Sequence, residues 1–307
     1  MEMTSLLMAD ESKEIFNRQN LPGMISAQKT ANYCYTKGKQ LAVVLACLLI
    51  ILPIVINLSI QFVNNEVISG ILIVISLIDF IVGEIIRRQL NKAKLNGAGM
   101  QQYFDEFVFN LKNSSKKYLA PKKLSLEERS KLIRKYEDKD NSPYYNWYSD
   151  YSTLPYEQAV YNCQKENIRW DISIRKKYRV FLIILASLAV IVITISAILQ
   201  RMNVLSLIVI IFSIAPLFSY FYSGFQKLHK DIASQQQLYN IISSIEGKLK
   251  SKKKIWDEIE ELQVEIFDYR KRAYLIPNWF YKLFRKNMQT EEDRLAKEIS
   301  KGDNENS

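Results

Sequence analysis

Hydrophobic positions gather into four uninterrupted blocks, separated by strongly polar stretches. Residues 40–65 hold no charge and include LAVVLACLLIILPIVINLSI. Residues 67–86, VISGILIVISLIDFIVGEII, form a second block with two carboxylates, Asp79 and Glu84. Residues 180–200, VFLIILASLAVIVITISAILQ, form a third, and residues 202–226, with VLSLIVIIFSIAPLFSYFY, a fourth. A helix needs about 20 mostly apolar residues to cross a bilayer core. Each block has that length, and four in one chain favour membrane spans over buried core helices. The expected fold is an all-α membrane protein: four transmembrane helices as two hairpins, a helical cytosolic module and a long C-terminal amphipathic helix.

The connections set the topology. Asn64, Asn65 and Glu66 join blocks one and two; Gln200, Arg201, Met202 and Asn203 join three and four. Lysine and arginine crowd the opposite ends: Lys37 and Lys39, then Arg87, Arg88, Lys92 and Lys94, then Arg175, Lys176, Lys177 and Arg179, then Lys227 and Lys230. Positive charge stays on the cytoplasmic side. The expected divisions are a cytosolic N-terminal helix (1–39), a first hairpin (40–86), a cytosolic helical module (87–179), a second hairpin (180–226) and a cytosolic C-terminal region (227–307). The opening MEMTSLLMADESKEIF is acidic and too weakly apolar for a secretory signal.

Pro22-Gly23 marks a turn, with a helix from about Met24 into the first span. Gly97-Ala98-Gly99 reads as a hinge after the second. Tyr103, Phe104, Phe107, Val108 and Leu111 recur at helical spacing. Ser125 and Glu128 form a capping box, and residues 141–156, NSPYYNWYSDYSTLPY, an aromatic loop whose Pro155 suits the first turn of the next helix. That helix takes in YNCQKENIRWDISIRKKY at 161–178 and runs into the third block. Cys163, Asn167, Trp170 and Ile174 share one face, with Gln164, Asp171 and Tyr178 beside it. The stripe is either a packing seam or a ligand and gating surface. After the fourth block, Leu228, Ile232, Leu238, Ile242, Ile245, Leu249, Trp256, Ile259, Leu262 and Ile266 fall at three- and four-residue steps, interrupted by Ser251-Lys252-Lys253-Lys254. They pack on the cytosolic module or form a coiled-coil stalk, packing being the first choice. From about residue 290 the chain reads as a frayed tail.

Charge narrows the partners. The net charge of +10 suits nucleotides, nucleic acid or an anionic membrane. Three scattered cysteines and one histidine offer no disulfide framework, zinc site or Ser–His pair. No GxxxxGK[ST], GxSxG, HExxH or GxGxxG occurs, so the chain does not read as an enzyme. Asp79 is the deepest charge in the apolar blocks, and such a group costs about 2.5–3.5 kcal/mol on insertion scales. Ser76 and Gly83 share its face. This is a pore-lining or gating stripe, or an interhelical contact with Asp79 protonated. Glu84 can pair with Arg87 or Arg88. Ser206, Ser213 and Tyr220, with Pro216, and Pro53 and Asn57 mark further helix contacts.

Three motifs resemble the SMODS-associating four-transmembrane effector family of bacterial cyclic-oligonucleotide (CBASS) anti-phage systems. One is Arg18-Gln19-Asn20 with Ser26-Ala27-Gln28-Lys29. The second is Cys163, Gln164, Asn167, Trp170 and Asp171. The third is Gln263, Ile266, Phe267 and Arg270, followed by Pro277, Trp279, Phe280 and Tyr281. Asn278 stands where an aspartate is expected, and Lys29 where arginine is commoner. The resemblance implies a bacterial inner-membrane effector with cytoplasmic termini, which disrupts the membrane when a partner nucleotidyltransferase makes a cyclic oligonucleotide. Implied partners are that nucleotide, the bilayer and further copies of the chain in a homo-oligomer, with no DNA or RNA polymer, no metal and no resident cofactor. Bases stack on aromatic rings, and phosphates pair with Arg and Lys. The candidate ligand-binding residues are Lys165, Asn167, Arg169, Trp170, Asp171 and Arg270, with Tyr144, Tyr145, Trp147 and Tyr148 as further stacking candidates. Arg175, Lys176, Lys177 and Arg179 read as the positive collar of the third span. A non-pore scaffold recruiting proteins through its cytosolic helices is the rival reading, and a transporter a third.

Overall fold

Helical periodicity running without a break from polar into apolar sequence gives rods longer than a bilayer is thick. The computed structural model describes residues 12–52, 55–56, 66–111, 124–137, 140, 144–199, 203–250 and 255–305. A short helix, α1 (12–19), precedes α2 (Pro22–Ala46), which continues through a π-helical stretch, Cys47–Ile51. Then follow α3 (Glu66–Val108), α4 (Leu126–Lys135), α5 (Tyr156–Leu199), α6 (Val204–Lys250), α7 (Trp256–Arg272) and α8 (Asn278–Glu305). Among the described residues there is no strand. At 1.5 Å per residue, α3, α5 and α6 are each about 65–70 Å long, twice the roughly 30 Å hydrocarbon thickness.

The apolar halves of α3 and α5 are bare among their described residues. On α3, Val67, Ile71, Val74, Leu77, Ile78, Phe80 and Ile81 are exposed; on α5, Ile184, Leu188, Ile191, Val192, Ile195 and Ile198 are. A soluble core helix would be covered, whereas only 6% of the apolar window of α5 is buried. Among the described residues, two helices, Pro22–Ile51 and Tyr156–Leu199, have the length and composition to cross a membrane. The expected hairpin turns fall largely outside the described residues, as do Pro53 and Asn57.

The polar halves pack into one bundle. Its larger core joins Phe104 and Val108 of α3, Val160 and Cys163 of α5, Ile242 and Ile245 of α6, and Ile259 and Leu262 of α7 with Met24 and Ala27 of α2. Tyr148, Tyr151 and Leu154, from the aromatic loop, fill its centre. A smaller core beside the apolar halves joins Ile174, Tyr178, Leu182, Leu228, Ile276, Phe280 and Met288. The capping box forms as expected: Ser125 N–H donates to Glu128 Oε2 (2.8 Å) and Glu128 N–H to Ser125 Oγ (3.1 Å).

Three expectations are corrected. Gly97-Ala98-Gly99 is no hinge, because α3 runs straight through it. These glycines allow close approach instead: a Cβ on Gly97 would stand 3.1 Å from the Tyr35 ring, and one on Gly99 2.8 Å from Leu124. The chain past residue 290 is not frayed, since α8 reaches Glu305 and buries Glu292 and Ala296. Arg175 is not a solvated collar residue, because its side chain is 4% exposed and paired with two aspartates. Of the two readings of the C-terminal amphipathic pattern, packing holds: Ile255, Ile259 and Leu262 share a core with Leu238, Ile242 and Ile245.

Candidate functional site

The polar faces of the bundle close on buried carboxylates. Asp105, on α3, is fully buried. It accepts from Tyr148 Oη (2.5 Å), Gln263 Nε2 (3.0 Å) and Arg270 Nη1 (2.6 Å). Gln263 also donates to Gln102 Oε1 (2.9 Å), and its own Oε1 accepts from Gln164 Nε2 (3.0 Å). Asn167 Nδ2 donates to Tyr148 Oη (2.8 Å). Burial first, then the Asp105 carboxylate, push the Tyr148 hydroxyl well above its usual range, so it stays a donor.

A second node lies one step nearer the apolar halves. Asp171 accepts from Arg175 Nε (2.6 Å), Gln235 Nε2 (2.6 Å) and Tyr269 Oη (2.6 Å). Arg175 Nη1 then reaches Asp231 Oδ2 (2.8 Å), on α6. This ties the last polar turns of α5 before its apolar run to the first polar turns of α6 after its own. Removing one partner of such a buried pair typically costs about 3–5 kcal/mol.

At the far end of the bundle Arg169 grips Glu292 of α8, with Nη2–Oε2 at 2.5 Å. Lys165 meets Glu246 of α6 at 2.5 Å. Glu166 accepts from Ser149 N and Oγ, both at 3.2 Å, and burial pushes its carboxyl up to about 7.

The segment between α7 and α8 is the meeting point of the long helices. Lys94 of α3 donates to Arg272 O (2.8 Å). Arg175 of α5 donates to Tyr274 O (2.9 Å), and Tyr274 N–H donates to Asp231 of α6 (2.7 Å). Asn278 donates to Thr36 of α2 (3.0 Å) and accepts from Lys39 (2.6 Å). Leu275 lies so close to α2 that a Cβ on Gly38 would stand 2.9 Å from it. Residues 272–278 thus bond to all four helices that carry the apolar blocks, each at its polar edge. Burial brings Lys39 and Lys94 down to about 8.

The ligand candidates line this bundle. Lys165, Asn167, Arg169, Asp171 and Arg270 each hold the intramolecular bonds given above, and half-buried Trp170 packs on the smaller core. Tyr144 and Tyr148 are buried, whereas Tyr145 is exposed. In the stripe on α3, Gly83 is buried, with Leu45 of α2 3.7 Å from where its Cβ would be. Asp79 has one covered carboxylate oxygen with no hydrogen-bond partner. The Ser76 side chain lies outside the described residues. A cleft lined by Gly99, Gln102, Tyr103, Glu106, Leu124, Arg129 and Phe267 holds about 240 Å³ including its open mouth, and the Arg129 guanidinium stacks 4.2 Å over Tyr103.

Sequence reasoning missed Asp105, Asp231, Gln235, Tyr269, Tyr274 and Glu292. Asp105 carried a signal, being a carboxylate beside Phe104 within an apolar helical stripe. Asp231 and Glu292 carried none, since both sit among other charges.

Rods with bare apolar halves and a hydrogen-bonded polar bundle define a helical membrane protein. The chain belongs to the SMODS-associating 4TM effector domain family, which matches residues 13–299. It is 26% identical over 286 residues to a probable CBASS effector molecule of Bacillus cereus (strain VD146), covering 87% of this chain and 92% of that protein. No solved structure matches it. The three sequence motifs meet in the one bundle: Gln19 accepts from Tyr148 N–H (2.9 Å), Gln164 bonds Gln263, and Arg270 pairs with Asp105.

Proposed function

We propose that this protein is the membrane effector of a CBASS anti-phage system, opened by a cyclic oligonucleotide to permeabilise the bacterial inner membrane. In this reading the four apolar blocks cross the bilayer as two hairpins, both termini stay in the cytosol, and several copies surround a pore lined partly by the Ser76, Asp79 and Gly83 stripe. The observation that carries it is the 272–278 segment, bonded to all four long helices. Movement of α7 or α8 reaches every span at once.

Arg169 and Arg270 supply the trigger. Each is paired with an internal carboxylate, Glu292 and Asp105. A phosphodiester that takes Arg169 from Glu292 frees α8, whose first residue belongs to the tie. Trp170, on the same helix, provides a stacking face. Such a ligand shifts the equilibrium only as far as it binds the open arrangement more tightly than the closed one.

The test is dye release from liposomes carrying the full-length protein with its cytosolic face outward, against a panel of cyclic di- and trinucleotides. Release with one nucleotide supports the reading and names the signal. No release with any of them, with insertion and orientation verified, overturns it in favour of the scaffold.

A further inference from the structure

The exposed face at the start of α8 belongs neither to the core nor to the polar lattice. Phe280, Phe284 and Met288 turn inward onto the smaller core. The opposite face carries Trp279 at 54% and Leu283 at 66% exposure. Lys282 and Lys286, both exposed, flank them, so that Trp279, Lys282, Leu283 and Lys286 form one i, i+3, i+4, i+7 stripe.

The position of this stripe says what it meets. The Trp279 ring packs edge-on against Phe181, centroids 5.5 Å apart. Phe181 lies in the first turn of the α5 apolar run, beside exposed Val180 and Ile183. Further along, Lys177 of α5 covers the Phe284 ring (4.9 Å) and Arg169 grips Glu292. Because α8 runs antiparallel to α5, Trp279 stands level with the edge of the bare apolar band, and the helix descends from there. At 1.5 Å per residue, Lys282 and Leu283 lie about 5–6 Å below Trp279, and Lys286 about 10 Å below. Tryptophan favours the membrane–water interface, and lysines within a few ångströms of it face lipid phosphates.

We propose that the first two turns of α8 form a docking surface for anionic phospholipid headgroups of the cytoplasmic leaflet. Trp279 and Leu283 seat in the interface, and Lys282 and Lys286 contact the phosphates. The occupant is a lipid rather than a protein because the stripe continues the lipid-facing band of α5 and its charge is positive. The inference rests on α5 crossing the membrane and not on any nucleotide or pore.

The test uses the full-length protein, without nucleotide, in phosphatidylcholine–phosphatidylglycerol vesicles where a small fraction of one lipid carries a doxyl quencher. The readout is the ratio of tryptophan quenching by labelled phosphatidylglycerol to that by labelled phosphatidylcholine. The expected ratio for the wild type is about five, the effect of one lysine held at an anionic surface, and higher where both lysines engage. The double variant Lys282→Gln, Lys286→Gln should bring it close to one. The distal pair Lys297→Gln, Lys301→Gln should leave it unchanged. Soluble glycerol phosphate at constant ionic strength should not lower it. A wild-type ratio of one, an unchanged ratio in the proximal variant, an equal fall in the distal variant, or competition by glycerol phosphate would each overturn the proposal.

Discussion

Asp231→Asn isolates the tie between the helices that carry the third and fourth apolar blocks. The change keeps the side chain's volume and an oxygen able to accept from Tyr274 N–H, now at 2.7 Å. It removes the charge facing Arg175 Nη1 at 2.8 Å. Complete loss of one partner in a buried pair costs about 3–5 kcal/mol. Here Asp171 still neutralises Arg175, with Nε–Oδ2 at 2.6 Å. The loss is therefore nearer that of one hydrogen bond to a charged group, about 2 kcal/mol. Where the closed arrangement holds about 99% of the population, that loss multiplies the open-to-closed ratio about 30-fold and opens roughly a quarter of the molecules. The assay is dye release without nucleotide, alongside thermal unfolding in detergent. The expected outcome is spontaneous release and slower growth of expressing cells. A variant that melts earlier yet stays as tight as the wild type refutes the reasoning, because the tie would then persist in the open arrangement.

Other outcomes follow from the same geometry. Glu292→Gln removes the carboxylate paired with Arg169; if a nucleotide phosphate takes its place as proposed, half-maximal release should need about tenfold less nucleotide, some 1.4 kcal/mol, and an unchanged dose–response takes Arg169 out of the ligand contact. Asp79→Asn should change conductance or toxicity with normal insertion, and wild-type behaviour in a growth assay marks Asp79 as structural. Glu166 titrates near 7 in the folded protein against 4.5 as its ordinary value, so between those limits the folded state holds a proton that the unfolded state has lost. Its stabilising effect is full below about 4.5 and is lost as pH rises to 7, by at most about 3 kcal/mol. Glu166→Gln should flatten the melting temperature across that window relative to the wild type, and parallel profiles would contradict the assignment.

The rods were legible in the sequence because periodicity and hydropathy are local. The polar stripe through Cys163, Gln164, Asn167, Trp170 and Asp171 could be seen to lie on one side of a helix, and it does meet its neighbours there. What it meets could not be seen. Gln164 finds Gln263, and Arg270 finds Asp105, across separations of 99 and 165 residues, and nothing in local spacing encodes such pairings. Gly97 and Gly99 show the same limit. Their sequence permits both a hinge and a close approach, and only the Tyr35 ring and Leu124 decide between them. Arg175 sits among Lys176, Lys177 and Arg179, and composition alone cannot tell the buried member from its solvated neighbours. Residues 272–278 show no periodicity that sets them apart, because the partners that give them meaning come from four distant helices.

The most direct test of coupling through that connector is to fasten it to α2 with Gly38→Cys and Leu275→Cys, since the Leu275 side chain occupies the space beside Gly38. Dye release is then measured with the activating nucleotide before and after reduction. The expected result is silence while the disulfide is closed and wild-type release once it is reduced. Equal release in both states, with the disulfide verified, would contradict the claim that this segment carries the signal from the cytosolic bundle to the membrane.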